Sequence, residues 1–140
     1  MRVISLGSFD LMHRGHVLLI KKCFEIGSWV GIGLNTDGFY AKYRGYKPVM
    51  TYKERYDAIK AIFPEVRISE NDQRDGSAKR IIAQTGAKLI VVGSDWARKD
   101  YVGQLGLNWD WLDSKGIGIC YVNYTKNISS SEIKNRCLSR

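Results

Sequence analysis

The sequence predicts an α/β fold, a doubly wound parallel sheet of five strands in the order 3-2-1-4-5 with helices flanking both faces. Short apolar runs alternate with longer amphipathic stretches along the 140 residues, which is the pattern of repeated βα units. The run Leu89-Ile90-Val91-Val92 is apolar throughout, as a central parallel strand is. Polar motifs follow the strands, and the carboxyl ends of the strands are where such sheets bind ligands.

The elements can be assigned in order along the chain. Strands are predicted at residues 3–6, 29–34, 66–68, 89–92 and 118–122, and helices at 15–26, 51–62, 76–85 and from about residue 129. Gly27 is expected to cap the first helix, and Thr51 with Glu54 to form a capping box on the second. We predict a loop over residues 38–49 and a mixed, aromatic segment over 95–115. No linker or repeat interrupts residues 1–140, so a single Rossmann-like domain is expected.

Composition and charge restrict the partners. The formal net charge is +8, but the basic residues are dispersed, so anionic ligands are favoured and a nucleic-acid partner is not. No apolar run approaches the ~20 residues of a membrane span, and the N-terminus lacks the apolar stretch of a signal peptide. The 3 cysteines form no CxxC pair. We therefore expect a cytoplasmic protein that does not bind membranes.

Both histidines lie in the segment Gly7-Ser8-Phe9-Asp10-Leu11-Met12-His13-Arg14-Gly15-His16, between the first strand and the first helix. The free N–H groups and the dipole of a helix N-terminus favour a bound phosphate. Two imidazoles at i and i+3 can face one ligand there. Gly15 permits close approach of the backbone, and Ser8 adds a hydroxyl donor. The pattern indicates an enzyme that handles phosphates, the alternative being two histidines that only cap and pack at a turn.

These residues resemble the nucleotidyltransferase superfamily marked by His-x-Gly-His. The match is closest to the G-[ST]-F-D-x-x-H-x-G-H motif of small cytidylyltransferases, above all the glycerol-3-phosphate cytidylyltransferases. Four further segments match in order: Asn35-Thr36-Asp37, Tyr52-Lys53-Glu54-Arg55, Gly93-Ser94-Asp95-Trp96 and Ile128-Ser129-Ser130-Ser131. The resemblance implies a homodimeric enzyme that uses Mg²⁺ to transfer CMP from CTP to a small alcohol phosphate, releasing pyrophosphate. Glycerol 3-phosphate is the first acceptor expected.

The candidate catalytic residues are His13, His16, Lys47 and Asp10. The two histidines can donate hydrogen bonds to phosphate oxygens as negative charge spreads in the transition state. By resemblance, Lys47 belongs to a mobile basic loop that closes over the phosphates. Asp10 would orient the active-site groups or help to hold Mg²⁺, the alternative being an ordinary turn or cap aspartate.

The remaining candidates fall into two groups. The candidate acceptor-binding residues are Asp37, Arg55 and Lys42, with an Asx turn and a solvated arginine as the alternatives for the first two. The Ser129 run opens a helix, so its hydroxyls could meet phosphates or simply cap that helix. The nucleotide-binding candidates, of which Phe9 also fits the core, are Gly7, Ser8, Phe9, Gly15, Arg44, Gly93, Asp95, Trp96, Ile128, Ser129, Ser130 and Ser131.

The chain departs from the family pattern in two cations. Tyr46 occupies a lysine position and Tyr124 an arginine position, for which Lys126 could compensate if it points inward. A degenerate, nucleotide-sensing relative is therefore an open alternative.

Two other functions also remain open. Lys47-Pro48-Val49 resembles the Arg-Pro-Val of heptose-phosphate adenylyltransferases, which keeps open an ATP-dependent enzyme acting on a sugar phosphate. A non-catalytic nucleic-acid-binding module would explain the charge but not the histidines. For the expected homodimer, the candidate interface aromatics are Trp96, Tyr101, Trp109 and Trp111.

Overall fold

The computed structural model describes residues 1–72, 77–123 and 129–138. Its strands are β1 (Arg2–Gly7), β2 (Trp29–Asn35), β3 (Arg67–Asn71), β4 (Leu89–Gly93) and β5 (Gly118–Val122). All neighbouring strands pair in parallel, in the order β3-β2-β1-β4-β5. The predicted doubly wound sheet and its strand order are confirmed.

The helices are α1 (Arg14–Ile26), α2 (Asp37–Arg44), α3 (Tyr52–Ile62), α4 (Ser77–Thr85), α5 (Tyr101–Gln104), α6 (Trp109–Lys115) and α7 (Ser130–Leu138). The capping box predicted at Thr51 and Glu54 is present at the start of α3. The Gly27 amide donates to the Cys23 carbonyl and ends α1, as predicted. Local capping chemistry therefore fixes the bounds of both helices that carry the matched motifs.

The loop predicted over residues 38–49 is wrong in its first half, which forms α2. The Thr36 hydroxyl accepts from the Phe39 amide and caps the helix, and Gly45 ends it in the left-handed conformation, with φ of 83°. Phe39 and Tyr40 are buried beneath it. The Phe39 and Tyr43 rings, one helical turn apart, lie with centroids 5.1 Å from each other, so local capping and side-chain packing support a helix in this segment.

The sheet is covered on both faces. On one face Ile4 and Leu6 of β1 pack with α4, α5 and α6, and on the other Val3 packs with Ile20 of α1 and Ile59 of α3. Successive residues of a strand point to opposite faces, so β1 supplies both cores. The central strand β1 is thus packed on both faces of the sheet, which holds the residues that follow its carboxyl end in place.

The aromatic segment over residues 95–115 divides into a 3₁₀ turn (Ser94–Trp96), α5 and α6. Tyr101, expected on an interface, is instead only 3% exposed, and its hydroxyl donates to the Leu6 carbonyl. Trp96 and Trp111 pack partly against the same core, whereas Trp109 is 54% exposed. Among the four aromatics proposed for a dimer surface, Trp109 is the one that is mainly exposed.

None of the helices in the described parts of the chain has both the length and the apolar character needed to cross a membrane.

Candidate active site

A cleft of about 700 Å³ runs along the carboxyl ends of the strands. It brings together most of the residues predicted for the site, from segments far apart in sequence. Those lining it are Gly7, Ser8, Phe9, Asp10, His13, Gly15, His16, Arg44, Gly93, Asp95, Trp96, Ser129, Ser130 and Ser131. The other described candidates, Asp37, Lys42, Lys47 and Arg55, are not among the lining residues. Ile128, Tyr124 and Lys126 lie outside the described residues.

The two histidines open α1 as a stacked pair, with ring centroids 3.8 Å apart. The Gly15 amide donates to Nδ1 of His13 over 3.0 Å, and the His13 amide donates to Nδ1 of His16 over 3.2 Å. An imidazole nitrogen that accepts a hydrogen bond carries no proton, so the neutral ring carries its proton on Nε2. The backbone therefore selects the tautomer in which each histidine has an Nε2–H donor.

Burial keeps these donors neutral. Desolvation, reinforced by the nearby His13, lowers the pKa of His16 to about 3, and desolvation also lowers the pKa of His13. A neutral imidazole that donates from Nε2 can bind a phosphate oxygen without a change of protonation at neutral pH.

The depressed pKa of His16 predicts a loss of stability in mild acid. The unfolded chain takes up a proton on this histidine near pH 6.5, whereas the folded chain does so only near pH 3. Stability is therefore fully present above pH 6.5 and falls below it, by about 2 kcal/mol at pH 5 for this group. Urea unfolding of the wild type and of His16→Gln at pH 7 and pH 5 measures the difference. Equal acid sensitivity in both proteins would contradict it.

Asp10 lies between two residues with left-handed backbone, Phe9 with φ of 52° and Leu11 with φ of 51°. Such conformations are unfavourable for residues other than glycine and persist only where their surroundings impose them. The Asp10 carboxylate accepts the amides of Val49 and Met50, each over 2.9 Å. With 2% exposure, Asp10 therefore fastens the end of the basic loop to the histidine motif.

The C-terminal helix contacts the same aspartate. Ser130 donates from its hydroxyl to the Asp10 carbonyl, and Nζ of Lys134 lies 3.8 Å from the Asp10 carboxylate. The Ser129 hydroxyl accepts the Glu132 amide over 3.0 Å, so the predicted cap is present. The serine run thus both caps α7 and faces the cleft.

Arg55 is completely buried beneath the motif. Its guanidinium donates to the Met50 carbonyl over 3.1 Å, to the Ser8 carbonyl over 2.8 Å and to the Asp37 carboxylate over 2.6 Å. The two predicted acceptor-binding residues Arg55 and Asp37 are therefore paired with each other. In this arrangement Arg55 holds the backbone on both sides of the site.

The three basic candidates of the segment predicted as a loop, Lys42, Arg44 and Lys47, lie at different distances along the chain from the cleft lining. Arg44, the last residue of α2, lines the cleft, and its guanidinium lies 5.5 Å from the Tyr43 ring centroid. Lys42 is on α2, away from the cleft lining, and Lys47 is exposed between Gly45 and the anchored Val49. Of the three basic candidates Lys42, Arg44 and Lys47, Arg44 is thus the one that lines the cleft.

Tyr43 and Asn71, which the sequence analysis did not name as site candidates, also line the cleft, as does Asn35 of the matched Asn35-Thr36-Asp37 segment. The Asn71 amide donates to Oδ1 of Asn35 over 2.8 Å, and the Asn35 amide donates to the Ser8 hydroxyl over 2.9 Å. The Ser8 and Tyr43 hydroxyls are 3.0 Å apart. The available sequence signal was a polar residue at the end of each strand, the same signal that marked Asp37 and Asp95.

The cytidylyltransferase-like family model matches residues 4–136. The chain belongs to the cytidylyltransferase-like family. The identification made from the histidine motif is thereby confirmed, as is the class of enzyme, a nucleotidyltransferase.

Curated relatives of this cytidylyltransferase-like chain fall into two groups. A glycerol-3-phosphate cytidylyltransferase of Staphylococcus aureus is 27% identical over 95% of this chain and 92% of its own length. The bifunctional protein HldE of Citrifermentans bemidjiense is 26% identical over 98% of this chain, which spans only 27% of that protein. The first relative therefore matches this chain over nearly its whole length, and the second only through one part.

Solved structures support the same fold for the cytidylyltransferase-like chain. The lipopolysaccharide core biosynthesis protein of Thermoplasma volcanium has a TM-score of 0.64 and 20% identity, covering 90% of this chain and 97% of that one. A bifunctional NMN adenylyltransferase/ADP ribose pyrophosphatase of Francisella tularensis has a TM-score of 0.68 and 15% identity, covering 96% of this chain and 41% of that one. At these identities the likeness concerns the fold alone.

Proposed function

We propose that the chain transfers CMP from CTP to a phosphate oxygen of glycerol 3-phosphate and releases pyrophosphate. The observation that carries the proposal is the pair of neutral, tautomer-fixed histidines at the centre of the cleft. The near full-length similarity to a glycerol-3-phosphate cytidylyltransferase supports the choice of substrates.

The strand order gives the cleft two halves on either side of the histidines. Gly93, Asp95 and Trp96 follow β4 on one side, and we assign this side to the nucleoside of CTP. The other side receives side chains from β2, α2 and β3, and we assign it to the acceptor. Phosphates placed between the halves would meet the N-terminus of α1 and the serines of α7, both of which favour anions.

The reaction proposed is an in-line displacement at the α-phosphorus. A phosphate oxygen of the acceptor forms the new P–O bond, the bond to the oxygen that bridges the α- and β-phosphates breaks, and that oxygen leaves with pyrophosphate. An ionised acceptor phosphate has no proton to lose, so no general base is needed. Nε2–H of His13 and of His16 would stabilise the negative charge that develops on the transferred phosphate. We propose that Arg44 and Lys47 neutralise the leaving group, Lys47 after movement of its exposed loop.

The contacts of Asp10 and Arg55 support positioning roles in this reaction. Asp10 holds the amides of Val49 and Met50, while Arg55 holds the carbonyls of Ser8 and Met50. Through these bonds the two side chains fix the basic loop relative to the histidines. Asp37 and Lys42 are proposed to act at the acceptor side, Asp37 by orienting Arg55.

We propose that Mg²⁺ enters with the nucleotide. Both Asp10 oxygens already accept backbone amides, and the described residues contain no group of three or more His, Cys, Asp or Glu side chains arranged to hold a metal. The residues therefore fit an ion carried mainly by the triphosphate, as Mg²⁺ often is. When bound, that ion would neutralise charge on the phosphates.

A nucleotide and acceptor screen tests the proposal. Pyrophosphate release is measured with each of four NTPs, with Mg²⁺, against glycerol 3-phosphate, phosphoethanolamine and sugar phosphates. CTP with glycerol 3-phosphate should react fastest.

CTP should also raise the melting temperature more than ATP, GTP or UTP, since a ligand of the folded state stabilises it. Mg²⁺ alone should leave the melting temperature unchanged. If pyrophosphate is released only when ATP and a sugar phosphate are supplied together, the adenylyltransferase alternative is favoured.

We further propose a cytoplasmic homodimer, with exposed Trp109 at or near the interface. An exposed tryptophan is the kind of side chain that protein interfaces bury. Sedimentation at micromolar concentration should give a species of twice the 15.9 kDa chain mass, and Trp109→Glu should shift it toward the monomer. A wild-type sample that sediments as a monomer would contradict the proposal.

A further inference from the structure

The acceptor side of the cleft contains a chain of hydrogen bonds that crosses three strand ends. Asn71 and Asn35 are register neighbours on β3 and β2, and Ser8 follows the last residue of β1. Asn71 is 1% and Asn35 6% exposed. The chain runs from Asn71 through Asn35 and Ser8 to Tyr43 on α2. Side chains so deeply buried have fixed orientations because each needs its partner.

The direction of these bonds leaves one donor for the cleft. Asn35 donates to the Ser8 oxygen, so the Ser8 hydrogen is not used on Asn35. Ser8 and Tyr43 together have two hydroxyl hydrogens, and their mutual bond uses one. Whichever hydroxyl donates within the pair, the other hydrogen remains available to an oxygen atom of a bound molecule.

The same side of the cleft is unsuited to a positively charged acceptor. The cleft-lining side chains that β2, α2 and β3 contribute within the described ranges include no carboxylate. An aromatic cage for an ammonium group would need free ring faces. Arg44 instead lies over the rings of Tyr40 and Tyr43, and Lys134 lies 4.9 Å over that of Tyr46. One face of each of these three rings is thus already covered by a cation of the protein.

We propose that the Asn71–Asn35–Ser8–Tyr43 chain selects a hydroxylated acceptor, a polyol or sugar phosphate, against alkyl and amino-alcohol phosphates. The spare hydroxyl hydrogen donates to a hydroxyl oxygen of the acceptor. Asn35 and Asn71 are positioning residues that orient this donor. The inference rests on the proposed function, and it assigns recognition of the acceptor hydroxyl to Ser8 and Tyr43.

The test compares acceptors that share the reacting phosphate. Propyl phosphate has the three carbons of glycerol 3-phosphate without its hydroxyls, and its phosphate can still attack CTP. The wild type should prefer glycerol 3-phosphate in kcat/KM by more than about tenfold, since a site built for a hydroxyl rejects its analogue. Tyr43→Phe should lower kcat/KM for glycerol 3-phosphate about tenfold more than for propyl phosphate. The Tyr43 hydroxyl also interacts with Arg44, so a loss shared by both acceptors would reflect that contact and not recognition of the acceptor hydroxyl.

Two further variants sharpen the test. Asn35→Asp replaces the amide donor by an acceptor, so Ser8 donates to it, Tyr43 donates to Ser8, and no hydrogen is spare. It should lose the selectivity although Tyr43 is intact. Tyr121→Phe is the matched control, because Tyr121 is as exposed as Tyr43, 36%, and lies outside the cleft lining. Its selectivity should equal that of the wild type.

The outcomes separate this inference from the proposed function. If Tyr43→Phe affects both acceptors equally or neither, or if phosphoethanolamine reacts as well as glycerol 3-phosphate, the inference is wrong although CMP transfer stands. If the wild type transfers nothing, the proposed function is wrong, and calorimetric titration with the two phosphates decides the inference. Tighter binding of glycerol 3-phosphate that Tyr43→Phe abolishes would support it, and equal or absent binding of both would overturn it.

Discussion

His13→Asn and His16→Gln are each expected to lower the turnover of CMP transfer by about 10²–10⁴ while the protein remains folded. Each change replaces the Nε2–H of an imidazole by an amide N–H group at a different position, and donors correctly directed at developing charge are worth roughly 3–5 kcal/mol. Both replacements keep the local structure, because Asn is a favoured N-cap residue and Gln at the third helical position completes a capping box. Steady-state turnover and the urea unfolding midpoint are the two measurements.

Alanine at the same positions is the matched comparison. His13→Ala removes the acceptor for the Gly15 amide as well as the donor, so it should lower stability by about 1 kcal/mol more than His13→Asn. Its turnover should fall by a similar factor. Near-wild-type turnover in the folded alanine variants, which have no side-chain donor, would show that the histidines do not act on the reacting phosphates.

Arg55→Met is expected to lower the free energy of unfolding by about 3 kcal/mol or more. Removing one partner of a buried, hydrogen-bonded ion pair typically costs 3–5 kcal/mol, and the partner Asp37, 44% exposed, can be rehydrated in part. The Ser8 and Met50 carbonyls would also lose a donor. Urea unfolding with and without the substitution measures the change.

Lys53→Met is the control for that measurement. Lys53 pairs with Asp57 one turn along the same helix, but its side chain is 83% exposed. Exposed pairs contribute little because water already solvates both charges, so the unfolding midpoint should not change. A midpoint for Arg55→Met equal to that of Lys53→Met would mean that the buried guanidinium does not hold the site together.

The features that sequence predicted well are those governed by local chemistry or by strand periodicity. The apolar run at Leu89–Gly93, the capping box at Thr51 and the turn containing His13 are all read from neighbouring residues. Once the strands alternate with helices, parallel packing brings their carboxyl ends to one edge. That rule predicted His13, Asp37, Asp95 and Ser129 at one cleft. Three of them line it, whereas Asp37 is not among the lining residues.

Features that depend on distant contacts could not be predicted. Asp10 binds amides 39 and 40 residues away, and no local pattern distinguishes such an aspartate from a turn residue. Arg55 lies in the first turn of α3, where an arginine is usually solvated, yet tertiary packing buries it completely. The helix α2 did leave a local signal, a Thr36 cap and a Gly45 end, which the Tyr- and Lys-rich composition outweighed in our prediction.

The attachment of α7 has a thermodynamic consequence for ligand affinity. None of its residues is buried, and it contacts the histidine motif through Ser130 and Lys134 at Asp10. If nucleotide binds only when α7 is docked, the apparent dissociation constant equals the intrinsic one divided by the docked fraction. A helix docked about one tenth of the time would thus weaken binding about tenfold. Substitutions on α7 that never touch the ligand could therefore adjust its affinity while leaving the chemistry of bound substrates unchanged.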